Sequence, residues 1–303
     1  MTRTATRPLA ACLCVLALAV GCTPTAAAEG VTVGIGATTE QRLLAALTLV
    51  ALDRAGVAAT VEEVGDTRNL HEAARRGDVD LFWDYSGAAL SLELLRRQSP
   101  PTATQESFER AAKADSERDD LRWLGPSQAN ATLALFVRAA DVGETERTLT
   151  LLSRRLSEGQ LALCADPDFV DRPEGLASLA EEYAISTEAL RRVAAPEPDA
   201  IARVAAGECF AGLVTATSGA AQNAGLVPVD DDLRVFPAFV VAPVVRGATL
   251  ERNPSLEPAL NQVIALLDST ARLRALNARV DGGIEPRVVA EEALGLATPT
   301  GSP

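Results

Sequence analysis

A chain of 303 residues, 48% of them hydrophobic and 23% charged, holds enough apolar material for one large or two medium globular domains. Intrinsic disorder and a disulfide-only miniprotein are therefore excluded. With 41 acidic residues against 28 basic ones and a formal charge of −13, no basic face is available to neutralise phosphates, which excludes nucleic acid as a partner. Lys113 is the only lysine, and aromatic residues make up 4% of the chain.

Residues 1–21 read as a lipoprotein signal peptide. Arg3 and Arg7 form a positive start, and Leu9 to Val20 is an apolar run too short to remain as a spanning helix. Ala19-Val20-Gly21-Cys22 then places small residues just before a cysteine. That arrangement resembles the lipobox of bacterial lipoproteins, with Ala19 where leucine is usual, and implies lipidation of Cys22. Residues 22–30 are small and polar, as a tether is. No later stretch approaches ~18 consecutive apolar residues, so the expected location is the outer face of the cytoplasmic membrane, lipid-anchored and extracytoplasmic. Removing residues 1–21 takes Arg3 and Arg7 from the 28 basic residues and leaves 26 against 41 acidic ones, a formal charge of −15. Cys12 and Cys14 leave with the signal, so Cys164 and Cys209 remain as a candidate disulfide, which an oxidising compartment favours. Their places, late in the run Leu161 to Ala165 and just before Phe210 to Thr215, are poorly offset for neighbouring parallel strands.

From residue 31 onward short strand-like runs alternate with helical patterns. Val31 to Gly36 predicts a strand, and Thr39 can cap a helix from about Glu40 to Ala55 whose Leu43, Leu44, Leu47, Val50 and Ala51 share one face. Val57 to Val64, Arg68 to Arg76 and Val79 to Trp83 complete a βαβαβ unit, hence a mainly parallel sheet. Helices over Ala88 to Arg97 and Thr104 to Asp120 follow. A second series predicts strands at Thr132 to Arg138, Leu161 to Ala165 and Phe210 to Thr215. Its helices fall near Thr148 to Leu156, Glu174 to Glu182, Thr187 to Val193 and Pro198 to Ala206. The apolar run Val235 to Val245 and three helical patterns from Pro254 to Leu294 close the chain. Two α/β units joined by two crossings, near Ser127 to Asn130 and Val235 to Pro237, define two lobes, and a small molecule binds in the cleft between such lobes.

Catalytic motifs are missing. His71 is the only histidine and sits in the polar stretch Asn69 to Arg76, which reads as a solvated helix face. Gly34-Ile35-Gly36 begins like a dinucleotide loop, but the third glycine position is Thr39. No Walker loop, serine elbow or paired-cysteine metal motif is present. An enzyme is not expected, and neither a cofactor nor a metal.

Four blocks in order carry a resemblance: Gly34-Ile35-Gly36-Ala37-Thr38-Thr39-Glu40-Gln41, Asp78-Val79-Asp80-Leu81-Phe82-Trp83-Asp84-Tyr85-Ser86-Gly87, Asp166-Pro167-Asp168-Phe169-Val170-Asp171-Arg172-Pro173-Glu174-Gly175, and Phe236-Pro237-Ala238-Phe239. The chain from about Val31 to Leu294 resembles the solute-binding proteins of glycine betaine, carnitine and choline ABC importers. The resemblance implies an α/β, two-lobe type II periplasmic-binding-protein fold with a ligand cleft between the lobes. Lobe I would comprise residues 31–128 plus 237–297, lobe II residues 129–236, and residues 298–303 a tail. Family members hold a quaternary ammonium among aromatic faces, since a cation without N–H donors is gripped only by dispersion and cation–π attraction. Carried over by position, Tyr85 and Phe239 stand at two cage sites, while Leu133 and Ala216 fall where two more rings would be. Arg172 matches the arginine that grips a ligand carboxylate, Gly36 replaces a lysine of the first loop, and Ala88 replaces a threonine. Thr38, Thr39, Asn130 and Thr215 are expected to line a more neutral pocket, one that would accept a polar or aromatic solute without a trimethylammonium group. The expected partners are a small-molecule solute, an ABC permease with its ATPase, and the membrane through the lipid; the chain is expected to be a monomer. The thinned cage leaves a different polar or aromatic solute as an alternative ligand, and a non-transport surface scaffold as an alternative role.

Overall fold

The structure, a computed structural model, describes residues 30–93, 99–158, 161–171 and 173–295. The signal segment, Cys22, most of the tether and Arg172 therefore lie outside the described residues. The first unit runs β1 (Val31–Ile35), α1 (Thr39–Arg54), β2 (Ala59–Glu63), α2 (Thr67–Arg76), β3 (Leu81–Tyr85), α3 (Ser86–Glu93), α4 (Thr104–Asp119) and β4 (Leu121–Trp123). The second runs β5 (Leu133–Arg138), α5 (Leu149–Glu158), β6 (Ala162–Ala165), α6 (Pro167–Asp171), α7 (Ser178–Glu182), β7 (Arg191–Ala194), α8 (Glu197–Ala205), β8 (Ala211–Thr215), α9 (Gly219–Asn223) and β9 (Leu226–Val229). The chain then returns as β10 (Val241–Arg246), α10 (Gly247–Arg252), α11 (Leu256–Leu266), α12 (Thr270–Asp281) and α13 (Pro286–Ala293).

Two five-stranded sheets result, ordered β2-β1-β3-β10-β4 and β7-β6-β8-β5-β9. In the first, β1 is parallel to β2 and β3, and the returning β10 enters antiparallel between β3 and β4. In the second, β6 is parallel to β7 and β8, while β5 runs antiparallel to β8 and β9. The two-lobe α/β arrangement anticipated from the alternating pattern is thus present. The crossings pair with each other: Asn130 bridges Val240, Ala131 N donates to Phe239 O at 2.9 Å, and the Thr132 hydroxyl donates to Pro237 O at 2.6 Å.

Period-two alternation explains how β3 serves two layers. Leu81 and Trp83 face the cluster formed by α1, α11, α12 and α13, and Phe82 faces α2 with Leu70, Ala73 and Ala74. The buried Trp83 indole donates to the Thr48 hydroxyl at 2.8 Å, so its one polar atom is satisfied inside the core.

Several local expectations need correction. Thr38, not Thr39, caps α1, its hydroxyl accepting from Gln41 N at 3.2 Å. Residues 187–193 do not form a helix; the segment ends in β7, whose register with β6 sets Arg192 opposite Leu163. His71 is not solvated: it is 1% exposed, its Nε2 lies 2.7 Å from Asp84 Oδ2, and its ring meets Phe82 edge-on at 5.2 Å. Cys164 and Cys209 are bonded, with Cα atoms 5.9 Å apart. In the strand register Cys164 faces Gly212, yet Cys209 lies outside β8, in the turn that joins α8 to β8. That turn removes the unfavourable offset that two extended strands would impose.

Candidate functional site

The carboxyl end of β3 and the amino end of α1 meet the carboxyl end of β8 and the amino end of α8, the place where open α/β sheets bind ligands. Tyr85, the last residue of β3, projects to the α1 side of its sheet, where its hydroxyl donates to Glu40 Oε1 at 2.8 Å and accepts from Gln41 Nε2 at 3.2 Å. Gln41 Nε2 also reaches Trp83 O at 3.1 Å. The sequence Thr38-Thr39-Glu40-Gln41 thus starts a helix and fixes the ring of Tyr85 at once.

Glu40 is the electrostatic centre of this end. Its second oxygen accepts from Asn277 Nδ2 at 2.7 Å, and Thr217 also donates to it. Burial pushes its carboxyl above the ordinary value of 4.5; bonds from Thr217, Tyr85 and Asn277 pull it down, and the charge of Glu197 pushes it up again, so the net shift is upward. Burial and the neighbouring Glu40 raise the Tyr85 phenol well above its ordinary value, which keeps it a hydrogen-bond donor. On the other lobe Glu197 Oε2 accepts from Thr215 N at 3.0 Å and from the Thr215 hydroxyl at 2.7 Å.

The residues expected to line the site differ in what their polar atoms are doing. Tyr85 and Thr215 lie at facing strand ends, with their hydroxyls committed to Glu40 and Glu197. Asn130 is a staple between the crossings: Oδ1 accepts from Phe239 N at 2.7 Å and its backbone N donates to the Thr270 hydroxyl at 3.0 Å. Phe239 lies against Gly87, where a Cβ would stand 2.8 Å from its ring, so glycine there permits the close approach. Thr39 is the first residue of α1. Gly36 has a structural reason to lack a side chain, since a Cβ would sit 2.7 Å from Gly65 O. Leu133 packs partly buried on the second lobe's core and Ala216 is buried in it, so neither offers a ring. Glu40, Gln41, Asn277, Thr217 and Glu197 were not singled out from the sequence as ligand residues; only the convergence of α1, α8, α12 and β8 marks them.

The lobes also touch beside the cleft. Asn277 Nδ2 donates to Thr217 O at 2.9 Å and Asn223 Nδ2 to Ala278 O at 2.8 Å, tying α12 to the segment around α9. At Gly219 a Cβ would lie 2.2 Å from Ala278 N, so the helices pass with no room for a side chain. Gly219→Val is expected to cost about 1–3 kcal/mol, the usual range for overpacking; urea denaturation of the variant against the parent checks this.

Among the described residues no group of three or more His, Cys, Asp or Glu side chains is arranged to hold a metal ion. Two lobes around a cleft, with one anchored ring and a carboxylate contributed from each side, are the architecture of a solute-binding protein. A family model described as the substrate binding domain of ABC-type glycine betaine transport systems matches residues 29–295, and the chain belongs to that family. It is 31% identical over 282 residues to the glycine betaine-binding protein YehZ of Escherichia coli, covering 89% of this chain and 92% of that one. It is 30% identical over 275 residues to a glycine-betaine-binding protein of Pseudomonas aeruginosa, covering 84% of each. The apo YehZ structure from Escherichia coli superposes with a TM-score of 0.78 at 28% identity, covering 89% of this chain and 100% of that one. The protein is therefore a substrate-binding component of an ABC importer, not an enzyme, and it serves a membrane permease and its ATPase from outside the cytoplasm.

Proposed function

We propose that the mature chain is tethered through a lipid on Cys22 and closes its lobes on a small quaternary ammonium solute of the glycine betaine or choline type. The observation that carries this reading is the fixed ring of Tyr85 beside the Glu40 carboxylate at the mouth of the cleft. A ring face and a negative charge together suit a bulky cation, with each cation–π contact contributing about 0.5–2 kcal/mol. Both relatives described above bear the name of glycine betaine, which supports the same class. Closure follows from differential affinity: a ligand that touches Tyr85 and Phe239 on one lobe and Thr215 and Arg172 on the other stabilises the closed state. Calorimetric titration of the mature chain with glycine betaine, carnitine, choline and proline betaine is expected to give saturable binding with at least one. Heat-silent titrations with all four, confirmed by unchanged melting, would remove the quaternary ammonium reading. Replacing Cys22 by Ala is expected to release the chain from the membrane fraction.

A second reading, another polar or aromatic solute, is favoured by Leu133 and Ala216, which put core aliphatics where two rings would stand. A thermal-shift panel separates the two readings, because a ligand at 100 times its dissociation constant stabilises by about 2.7 kcal/mol.

A further inference from the structure

Side chains that stand outside the solute's reach fasten the two lobes to each other. Asn277, on α12 of the first lobe, donates from its amide nitrogen both to Glu40 Oε2 at 2.7 Å and to Thr217 O of the second lobe at 2.9 Å. The Thr217 hydroxyl crosses the same gap to Glu40. Asn277 and Thr217 are 3% and 1% exposed, so neither presents surface to a molecule in the cleft. Beside them Gly219 lies against the backbone of Asn277 and Ala278 with no space for a Cβ, and Asn223 Nδ2 holds Ala278 O at 2.8 Å. Glu40 joins this seam to the cleft, because its other oxygen accepts from the Tyr85 hydroxyl.

The seam stands away from the crossings. α12 begins at Thr270, whose hydroxyl accepts from Asn130 N, and Asn277 lies seven residues further on, about 10 Å at ~1.5 Å per residue. A hinge rotation of about 20° centred on the crossings displaces a point at that distance by about 3.5 Å, which parts a hydrogen bond. Keeping the seam shut also has a cost. Asn277 Oδ1 has no partner while the lobes are together, and burial holds the Glu40 carboxyl above its ordinary value of 4.5. Opening returns water to both groups, so the bonds made on closing are set against groups left dry. A contact balanced in this way opens and closes instead of welding the lobes.

We propose that Asn277, Thr217 and Gly219 form a gate beside the cleft, which holds the lobes together with or without solute and limits how fast solute enters and leaves. The inference rests on the reading of this cleft as the solute site and goes beyond it, because it gives residues that do not touch the solute control over exchange. A contact made in both the empty and the loaded closed states largely cancels from the affinity. It does not cancel from the rates. Solute passes only through the open state, so the gate slows entry by reducing the open population and slows exit by the bonds that must break first.

Stopped-flow mixing of the mature chain with glycine betaine measures both rates, and calorimetry the affinity. In Asn277→Ala the association and dissociation rate constants are each expected to rise by at least about tenfold, with affinity changing by less than about fivefold. Thr217→Val loses only the hydroxyl and keeps the carbonyl that Asn277 uses, so the same direction and a smaller rise are expected. Gly219→Ala wedges α9 from α12 without removing a polar group and is expected to speed both rates too, which keeps the test decisive should Asn277→Ala fail to fold. Damage to the solute site itself weakens binding and does not speed association. Slower association with weaker binding therefore overturns the gate in favour of a direct role in the site, and unchanged rates in the folded variants overturn it in favour of a contact that stays made throughout. Should the parent bind no glycine betaine, the quaternary ammonium reading fails and small-angle X-ray scattering of the solute-free proteins decides on the gate alone. A larger radius of gyration in Asn277→Ala and Gly219→Ala than in the parent supports it, and equal radii overturn it.

Discussion

Asp84→Ala is expected to destabilise the protein by about 3–5 kcal/mol, because it removes one partner of a buried ion pair and leaves the other uncompensated. Asp84 is 1% exposed and lies on the α2 side of β3, where it accepts from the Thr67 hydroxyl at 3.1 Å and pairs with His71 Nε2 at 2.7 Å. Behind His71, Asp115 stands 3.6 Å from Nδ1 and is held by the Trp123 indole at 2.7 Å and by Arg118 at 3.0 Å. Burial alone would lower the His71 value, but the hydrogen bond and charge of Asp84, with the charge of Asp115, outweigh it and leave it above the ordinary 6.5. The sign follows by linkage. A folded value above the unfolded one means stability that is fully present below about pH 6.5 and lost as pH rises through the folded value. Burial likewise raises Asp115 above its ordinary 3.8, which adds a loss of the same sign in a more acid window. The melting midpoint of the parent is therefore expected to fall as pH is raised from 6 through neutrality, and that slope is expected to vanish in Asp84→Ala. A pH series of thermal scans on both proteins measures it; an equal slope in the two would show that His71 does not titrate through Asp84. Since Asp84 precedes Tyr85 on β3, the variant is also expected to weaken ligand binding.

Much of the scaffold was legible because local signals agreed with the tertiary result. Leu43, Leu44, Leu47, Val50 and Ala51 share one face of α1 and are all buried, and Gly77 ends α2 in the left-handed conformation that glycine tolerates. The misreadings have particular causes. Arg191-Arg192-Val193-Ala194 has no strand propensity to speak of, and becomes β7 through its ladder with β6, a tertiary pairing that overrides local preference. Leu121–Trp123 and Leu226–Val229 are too short to show a period. The polar residues Asn69, Glu72, Arg75 and Arg76 around His71 suggest a solvated face, whereas Leu70, Ala73 and Ala74 make the buried face of α2 and His71 stands at its edge, one turn before Ala74. The ordered motifs lead to Tyr85, which ends β3, and to Phe239, which lies against Gly87. The pairing of Glu40 with Asn277 leaves no such motif, because the two lie 237 residues apart and a hydrogen bond over that separation leaves no periodic trace.

Reduction of the Cys164–Cys209 bond is expected to cost about 4 kcal/mol if the closed loop of 45 residues acts through chain entropy alone, and at least about 2 kcal/mol in practice. The loop is not a passive excursion. It contains α6, α7, β7 and α8, so the bond ties the strand β6 directly to the stem of β8 and encloses the segment that delivers Glu197 to the cleft. Both sulfurs belong to the cluster formed by Ala134, Phe136, Ile201 and Val204, and opening them leaves two thiols in an apolar layer that was filled by the bridge. Stability and binding should therefore decline together. In the reduced state, or in the Cys164→Ser/Cys209→Ser double variant, α8 gains freedom relative to β8, the two Thr215 bonds to Glu197 weaken, and a cationic ligand meets a less organised second carboxylate. Urea denaturation with and without dithiothreitol measures the first effect, and calorimetry on the same samples the second. The first lobe supplies the control: its described residues contain no cysteine, so Trp83, packed in that lobe, is expected to report little change in fluorescence on reduction while the second lobe loosens. Were Trp83 to respond as strongly as the second lobe, the two halves would unfold as one cooperative unit through the α9–α12 contact, and the loss of about 4 kcal/mol would then apply to the whole molecule.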